Sequence, residues 1–355
     1  MSVWQYIRFL LAPLALVYFA IIWLRNRLYQ WKIFRSTEFD FPVISVGNLS
    51  VGGTGKTPHV EYLIKLLANH YSLATLSRGY RRKTSGYILA SPQHHAEHLG
   101  DEPALIKKKY PQIAVAVAED RVLAMPQLLT EAPATQVVLL DDAFQHRTVV
   151  PGLSILLTTF QKPFYNDYIL PLGSLREYRS AYRRADFIVV TKCPLDLTNE
   201  QRQEFIENIK PQKGQHVVFS YLEYDSPYYI LDGRQRLNWT AEQDVYLFTG
   251  IASSGVIEAY VKPKVNRLFT KHYSDHHYFD KFDIEHITDA FNNIESQNKI
   301  LLTTEKDVTR LFVHSERIVK RKLPIFVLPV KVAFFEQDKV FFDGEIMQYL
   351  QSVIK

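Results

Sequence analysis

The run Ser50-Val51-Gly52-Gly53-Thr54-Gly55-Lys56-Thr57 has the residue types that hold a polyphosphate. Its glycines free backbone N–H groups from side-chain crowding, so that they can converge on phosphate oxygens. A helix starting directly after them would add its positive dipole end. Lys56 then has the reach for the β- and γ-phosphates, and Thr57 offers a hydroxyl to Mg²⁺. The first position departs from the usual pattern. Ser50 stands there in place of glycine and tolerates a positive φ less freely. An ordinary glycine-rich turn between a strand and a helix would look similar. A second cluster bears on that choice: the apolar run Gln136–Leu140 ends in Asp141-Asp142. This reads as a buried parallel strand that delivers carboxylates to the sheet edge where open α/β folds bind ligands. In P-loop enzymes the metal-holding acid sits there. Together the two clusters predict a site for a nucleoside triphosphate with its metal.

Three further clusters carry chemistry-bearing groups. Gly100-Asp101-Glu102-Pro103 puts two carboxylates at the start of a helix. Asp101 there either caps the helix or serves as a general base for an attacking hydroxyl. Tyr273-Ser274-Asp275-His276-His277-Tyr278 sets two histidines beside a carboxylate. Adjacent histidines diverge, which argues against a compact zinc site. They are either a plain core or surface pair, or one of them supports an acidic base across a cleft. The arginines of Ser77-Arg78-Gly79-Tyr80-Arg81-Arg82-Lys83 and Leu175-Arg176-Glu177 are suited to gripping phosphate, or are solvated charges.

The elements that must position these groups alternate along the chain. Phe41–Val46 reads as the strand before the phosphate loop, and Val60, Leu63, Ile64 and Leu67 recur at helical spacing after it. Strands are expected at Leu73–Leu76, Ile113–Val117, Ile155–Leu157 and Phe187–Val190, with helices near Ala104–Ile106 and through Leu123–Leu129. The fold class is therefore α/β, a P-loop-type parallel sheet between helices. Residues 211–243 turn polar and carry Pro211, Gly214, Pro227 and Gly233, as a connection between domains would. A smaller α/β unit follows, with strands at Val245–Phe248, Ile300–Thr303 and Ile325–Val330 and helices around 253–261 and 283–296. The expected divisions are a membrane-associated helix at 1–35, a nucleotide core at 36–225 and a smaller domain at 226–355.

Across the 355 residues, 47% are hydrophobic and 13% aromatic, which excludes general disorder. A net charge of +5 is too mild to point to nucleic acid. Cys193 stands alone, so no disulfide within the chain and no cysteine-based zinc site can form. The stretch Phe9–Leu24 has no charge, and Arg25 and Arg27 end it. Its sixteen residues fall just short of the 17–25 of a full span, so it either crosses a bilayer or lies partly within it. A buried core helix is the plain alternative. Pro13 is tolerable near the start of a membrane helix, and Trp4, Tyr6 and Trp23 suit its interfaces. Arg25, Arg27, Lys32 and Arg35 follow the stretch whereas Arg8 alone precedes it, which leaves the body of the protein in the cytoplasm.

A P-loop GTPase or transport ATPase would fit the nucleotide site as well. Val190-Thr191-Lys192-Cys193-Pro194 occupies the place of a guanine-reading Asn-Lys-x-Asp element but lacks both Asn and Asp. A nucleotide-binding membrane adaptor without turnover is a third class. A kinase alone needs an acceptor.

The clusters occur in a set order, from Val46–Pro58 through Leu76–Tyr80, Gly100–Pro103, Asp141–His146, Leu175–Glu177 and Ser274–His277 to Thr303–Asp307. That series resembles the tetraacyldisaccharide 4'-kinase family, membrane-bound kinases of lipid A biosynthesis, over nearly the whole chain. Two positions depart from the family: Ala143 where it usually has Gly, and Arg81 where Gly often follows the tyrosine. The resemblance implies transfer of the γ-phosphate of ATP to the 4'-hydroxyl of a tetraacylated disaccharide 1-phosphate. It implies Asp101 as base with His276, and Lys56, Thr57, Asp142 and Mg²⁺ as the neutralising set. Asp141, Glu102, Arg121, Gln145, Arg176, Glu177, Arg78 and Tyr80 follow as secondary candidates at matching positions. The partner implied is the lipid substrate in the bacterial inner membrane, approached from the cytoplasmic face, with no nucleic acid and no obligatory protein partner.

Overall fold

The computed structural model describes residues 3–251 and 254–354, with side chains from Leu11 onward. The side chains of Trp4, Tyr6 and Arg8, expected near a membrane boundary, lie outside the described residues. Two sheets organise the chain. The larger has nine strands, in the order Val330–Phe334, His216–Tyr224, Phe187–Thr191, Leu153–Thr159, Val43–Asn48, Val137–Asp141, Leu73–Ser77, Ala114–Val117 and Ile88–Leu89. Its seven inner strands are parallel, and the two edge strands are antiparallel to their neighbours. The inner strands read as continuous apolar runs because helices cover both faces. The smaller sheet has four parallel strands, Arg267–His272, Asp244–Thr249, Lys299–Thr304 and Ile325–Leu328. An antiparallel hairpin, Tyr228–Tyr229 with Asp232–Arg236, closes one side.

The C-terminal boundary differs from the sequence expectation. After Ile325–Leu328 the chain leaves the smaller sheet, and Val330–Phe334 pairs antiparallel with His216–Tyr224 at the edge of the larger one. The helix Glu336–Val353 then packs Phe342, Ile346 and Leu350 into the larger core beside Phe187 and Phe334. Residues 211–243 are likewise no plain connection. They supply a strand to the larger sheet, then the hairpin of the smaller one. Local composition misses the hairpin because polar side chains on the edge strand Asp232–Arg236 resemble those of a loop.

The N-terminal helix, Val3–Gln30, lies against the larger unit along one stripe. Ala15 and Asn26 on that stripe are buried, whereas Leu14, Leu16, Val17, Phe19, Ile21, Trp23 and Leu24 are exposed. The stripe is polar where it docks. The Tyr18 hydroxyl donates to the Arg176 carbonyl at 3.0 Å, and Arg25 Nη2 donates to the Gln145 carbonyl at 2.6 Å. Asn26 Nδ2 donates to Glu177 Oε2 at 3.3 Å, and Asn26 Oδ1 accepts from Arg147 Nη1 at 3.2 Å.

Candidate active site

The phosphate loop follows from Val43–Asn48, the central strand of the larger sheet. Gly52 and Gly55 have φ of 109° and 92°, a region that disfavours a Cβ, so glycine is needed at both. Ser50 is outside that region. It bridges to Leu175, and the Val51 N–H donates to the Ser174 carbonyl at 2.7 Å. Serine at the first position is therefore accommodated by a paired, extended backbone. Gly53 has nothing within 4 Å of a would-be Cβ, so the loop surface is open where phosphates would approach. Side chains brace the loop from behind. Asn48 Nδ2 donates to Thr54 Oγ1 at 2.9 Å, and Thr191 Oγ1 donates to the Thr54 carbonyl at 2.9 Å.

The helix that begins at Lys56 has no side-chain cap, which leaves its first N–H groups free for an anion. His59, one turn in, is buried with Nδ1 at 2.7 Å from the Gly55 carbonyl and Nε2 at 3.1 Å from Ser220 Oγ. A carbonyl can only accept, so Nδ1 carries the proton and Nε2 accepts from the serine. Burial, opposed by the Gly55 bond, pulls the His59 pKa down to about 4 and keeps this brace neutral.

The acidic strand Val137–Asp141 lies beside the phosphate-loop strand, with Val46 and Asp141 in register. Lys56 Nζ is 3.6 Å from Asp142 Oδ1 and donates to Asn48 Oδ1 at 3.3 Å. Arg176 Nη1 donates to both Asp142 oxygens at 3.1 and 3.2 Å and to Gln145 Oε1 at 3.3 Å. Gln145 Nε2 returns to the Asn48 carbonyl at 2.7 Å. Asp142 has φ of 51°, an uncommon conformation of the kind stored at functional turns. Ala143 does not share it, so the turn makes no demand for glycine at the position where the family usually has one. Arg81, by contrast, has φ of 60°, which explains why glycine suits that place.

Asp141 is buried and its Oδ1 has no hydrogen-bond partner. Burial, then the neighbouring carboxylates Asp142 and Glu102, push its pKa up to about 7. Among the described residues no three His, Cys, Asp or Glu are arranged to hold a metal by themselves. The donor set suits Mg²⁺ all the same. That ion takes hard oxygens, usually from one or two carboxylates, with the rest from water and phosphate. Thr57, Asp142 and the orphaned Asp141 oxygen supply such donors beside the phosphate loop.

The remaining carboxylates meet the smaller sheet. Gly100, with φ of 90°, precedes the helix Asp101–Lys109, and no side chain caps that helix. Asp101 is thus the first helical residue and not its cap. Its Oδ2 accepts from His276 Nδ1 at 2.9 Å, joining residues 175 apart in sequence. His276 has φ of 60°, and the Tyr80 ring meets its edge with centroids 5.5 Å apart. Arg81 Nη1 donates to the Asp275 carbonyl at 2.9 Å, a second strap between the two units. Glu102 accepts from Lys306 Nζ at 2.7 Å. Burial alone would raise the Glu102 carboxyl, but the Lys306 ammonium overrides it and holds the pKa at about 2.

Not every candidate turns toward the phosphate loop. Glu177 is fully buried and occupied by Arg184 and Asn26, so it ties down the N-terminal helix. Arg121 is buried at a helix start with its Nη1 on the Glu119 carbonyl and its Nε unpartnered. Burial and the neighbouring Arg78 lower its pKa to about 10. Arg78 itself is exposed. Sequence reasoning gave no role to Asn48, Lys306 or Arg310. The first two stood inside quoted motifs, and Arg310 follows Asp307 at helical spacing.

Comparisons with known proteins identify the family. A family model described as tetraacyldisaccharide-1-P 4'-kinase matches residues 7–349. The tetraacyldisaccharide 4'-kinase of Flavobacterium psychrophilum is 43% identical over 351 residues, covering 98% of each chain. That of Bacteroides thetaiotaomicron is 39% identical over 353 residues, covering 96% of this chain and 93% of the other. LpxK from Aquifex aeolicus, solved in complex with ATP, superposes with a TM-score of 0.74 at 29% identity and covers 97% of this chain and 99% of its own.

Proposed function

The chain belongs to the tetraacyldisaccharide-1-P 4'-kinase family, and on that footing we propose how its residues divide the reaction. The reaction is transfer of the γ-phosphate of ATP to the 4'-hydroxyl of a tetraacyldisaccharide 1-phosphate, which gives lipid IVA in lipid A biosynthesis. The enzyme uses ATP with Mg²⁺.

A sugar hydroxyl is a weak nucleophile, and little covalent chemistry falls to the protein. Catalysis is mostly positioning and neutralisation. In our reading Asp101 accepts the hydroxyl proton at Oδ1, the oxygen left without a partner, while His276 holds Oδ2. That 2.9 Å bond, made between the two sheets, is the observation that carries the assignment. Lys56 and the N–H groups of residues 52–57 neutralise the β- and γ-phosphates. Thr57 and Asp142 would hold the metal, with Asp141 behind them. Mg²⁺ held by these residues would supply positive charge to offset that of the phosphates. Arg176 and Gln145 keep the Asp142 turn in place. Tyr80 packs against His276, and Glu102 clasps the smaller unit through Lys306.

The division of the chain forms part of the proposal: a membrane-associated segment at 1–35, a core, and a smaller lobe that closes over the substrate. Residues 330–353 join the core in it. Direct incubation of purified protein with ATP, Mg²⁺ and the disaccharide 1-phosphate lipid tests the reaction, with mass analysis for one added phosphate. Hydrolysis of ATP without a phosphorylated acceptor would favour the GTPase or ATPase reading instead.

We further propose that the N-terminal helix lies in the membrane interface on the cytoplasmic face of the inner membrane. Leu11–Gln30 is long and apolar enough to cross a bilayer, yet its stripe of Tyr18, Arg25 and Asn26 is bonded to the core. Such a helix can bury its exposed Leu, Val, Phe, Ile and Trp face in lipid without leaving the protein. A substrate with four acyl chains stays in the bilayer because each buried CH₂ contributes about 0.8 kcal/mol. Deleting residues 1–24 should therefore weaken liposome flotation several-fold while the KM for ATP stays within about threefold. Unchanged partitioning would make the segment part of the core.

A further inference from the structure

The Thr303–Asp307 motif does more than deliver Lys306 to Glu102. Thr304 ends the strand Lys299–Thr304 and caps the helix Glu305–Leu311 by accepting from the Asp307 N–H. Its hydroxyl donates to Asp307 Oδ2 at 2.7 Å. Asp307 Oδ1, buried, accepts from the Gly250 N–H at 3.0 Å and from Arg310 Nη2 at 2.6 Å. Arg310 Nη2 also donates to the Gly250 carbonyl at 3.1 Å. That same carbonyl accepts the backbone N–H of His276 at 3.1 Å. One guanidinium thus grips the strand end that holds the His276 turn.

The other edge of the guanidinium faces the reaction. Arg310 Nε lies 3.8 Å from Asp101 Oδ2, the oxygen already bonded to His276. The Arg310 side chain is 1% exposed, and its Nε and Nη1 have no hydrogen-bond partner, nor has Asp101 Oδ1. Buried donors left unpaired are rare in native proteins and mark places where strain or function holds them. Here they stand beside a buried carboxylate that reaches them from the opposite unit.

We propose that Arg310 is a positioning residue for the Asp101–His276 pair. It fixes the left-handed His276 turn through Gly250. It also biases the Asp101 carboxylate to keep Oδ2 toward the smaller lobe, which leaves Oδ1 for the acceptor hydroxyl. The proposal rests on the reading of Asp101 as the base. A lysine could not replace this geometry, because a single ammonium cannot span Asp307, Gly250 and Asp101 as a planar fork does.

The test measures kcat and the KM for ATP of Arg310→Lys in the wild-type and the Asp101→Asn backgrounds. In the wild-type background kcat should fall by at least about fivefold, the KM for ATP should stay within about threefold, and the melting temperature should hold. In the Asp101→Asn background the same substitution should cause no further loss, because its effect passes through Asp101. A smaller loss in the wild-type background, or an equal fold-loss in both, would overturn the proposal. Should Arg310→Lys fail to fold, Asp307→Asn with Arg310→Met removes both buried charges and carries the same comparison. An Asp101→Asn variant with full activity would remove the base reading itself, a result distinct from a silent Arg310.

Discussion

Asp101→Asn and His276→Ala are each expected to lower kcat by two orders of magnitude or more, with the KM for ATP within about threefold. General-base catalysis by a positioned side chain contributes about 10²–10⁴-fold, and neither group touches the phosphate loop. Asparagine keeps the shape of Asp101 and an acceptor for His276 but cannot take up the hydroxyl proton. Alanine at 276 leaves Asp101 charged, buried and without its 2.9 Å partner. The double variant should be much less impaired than the product of the two losses, because residues that act as a unit are strongly non-additive. Initial rates at saturating ATP and acceptor decide the matter. Losses that multiply would mean that the two groups act independently, and full activity of Asp101→Asn would leave Asp101 as a structural helix start.

The second large effect is expected at the phosphate loop. Lys56→Ala and Asp142→Ala should each leave less than a tenth of wild-type turnover at saturating ATP, with circular dichroism unchanged. A tenfold loss is about 1.4 kcal/mol of barrier, and removing one charge from a transferring phosphoryl group exceeds that. Lys56 is partly exposed and its own bonds run to Asn48 and Asp142, so alanine there empties a contact without breaking the core. Asp142→Ala also releases Arg176 from its two-oxygen grip. Turnover above a tenth in either variant would overturn this division of roles.

The phosphate loop was legible because it is local. Strand, glycine turn and helix are contiguous, and each residue type answers a backbone requirement within a few positions of itself. Asp141 and Asp142 were legible for the same reason, as the end of an apolar strand. The role of Asp101 was not local. Residue 101 by itself left capping and general-base readings open; the resemblance implied the base, and the contact made 175 residues away supports that reading. Arg310 was invisible, since a lone arginine on a short helix is ordinarily solvated and nothing local announces its burial. The edge strand Val330–Phe334 failed for another reason. It follows Ile325–Leu328 after a single residue, Pro329, and nothing in a short alternating run tells which sheet it will join.

That edge strand has a consequence for how the chain is made. On the ribosome the phosphate loop emerges early, but one flank of its sheet and the cover over Phe187 await residues 330–353. Between those moments the whole smaller lobe must be synthesised, while an apolar seam and an unpaired strand stand open. Nascent chains halted anywhere in that interval carry every nucleotide-binding residue named above and still lack the wall that packs them. The wall behind the phosphate-loop helix, where Phe334 meets His59 and Tyr62, is thus the last part of that unit to be made.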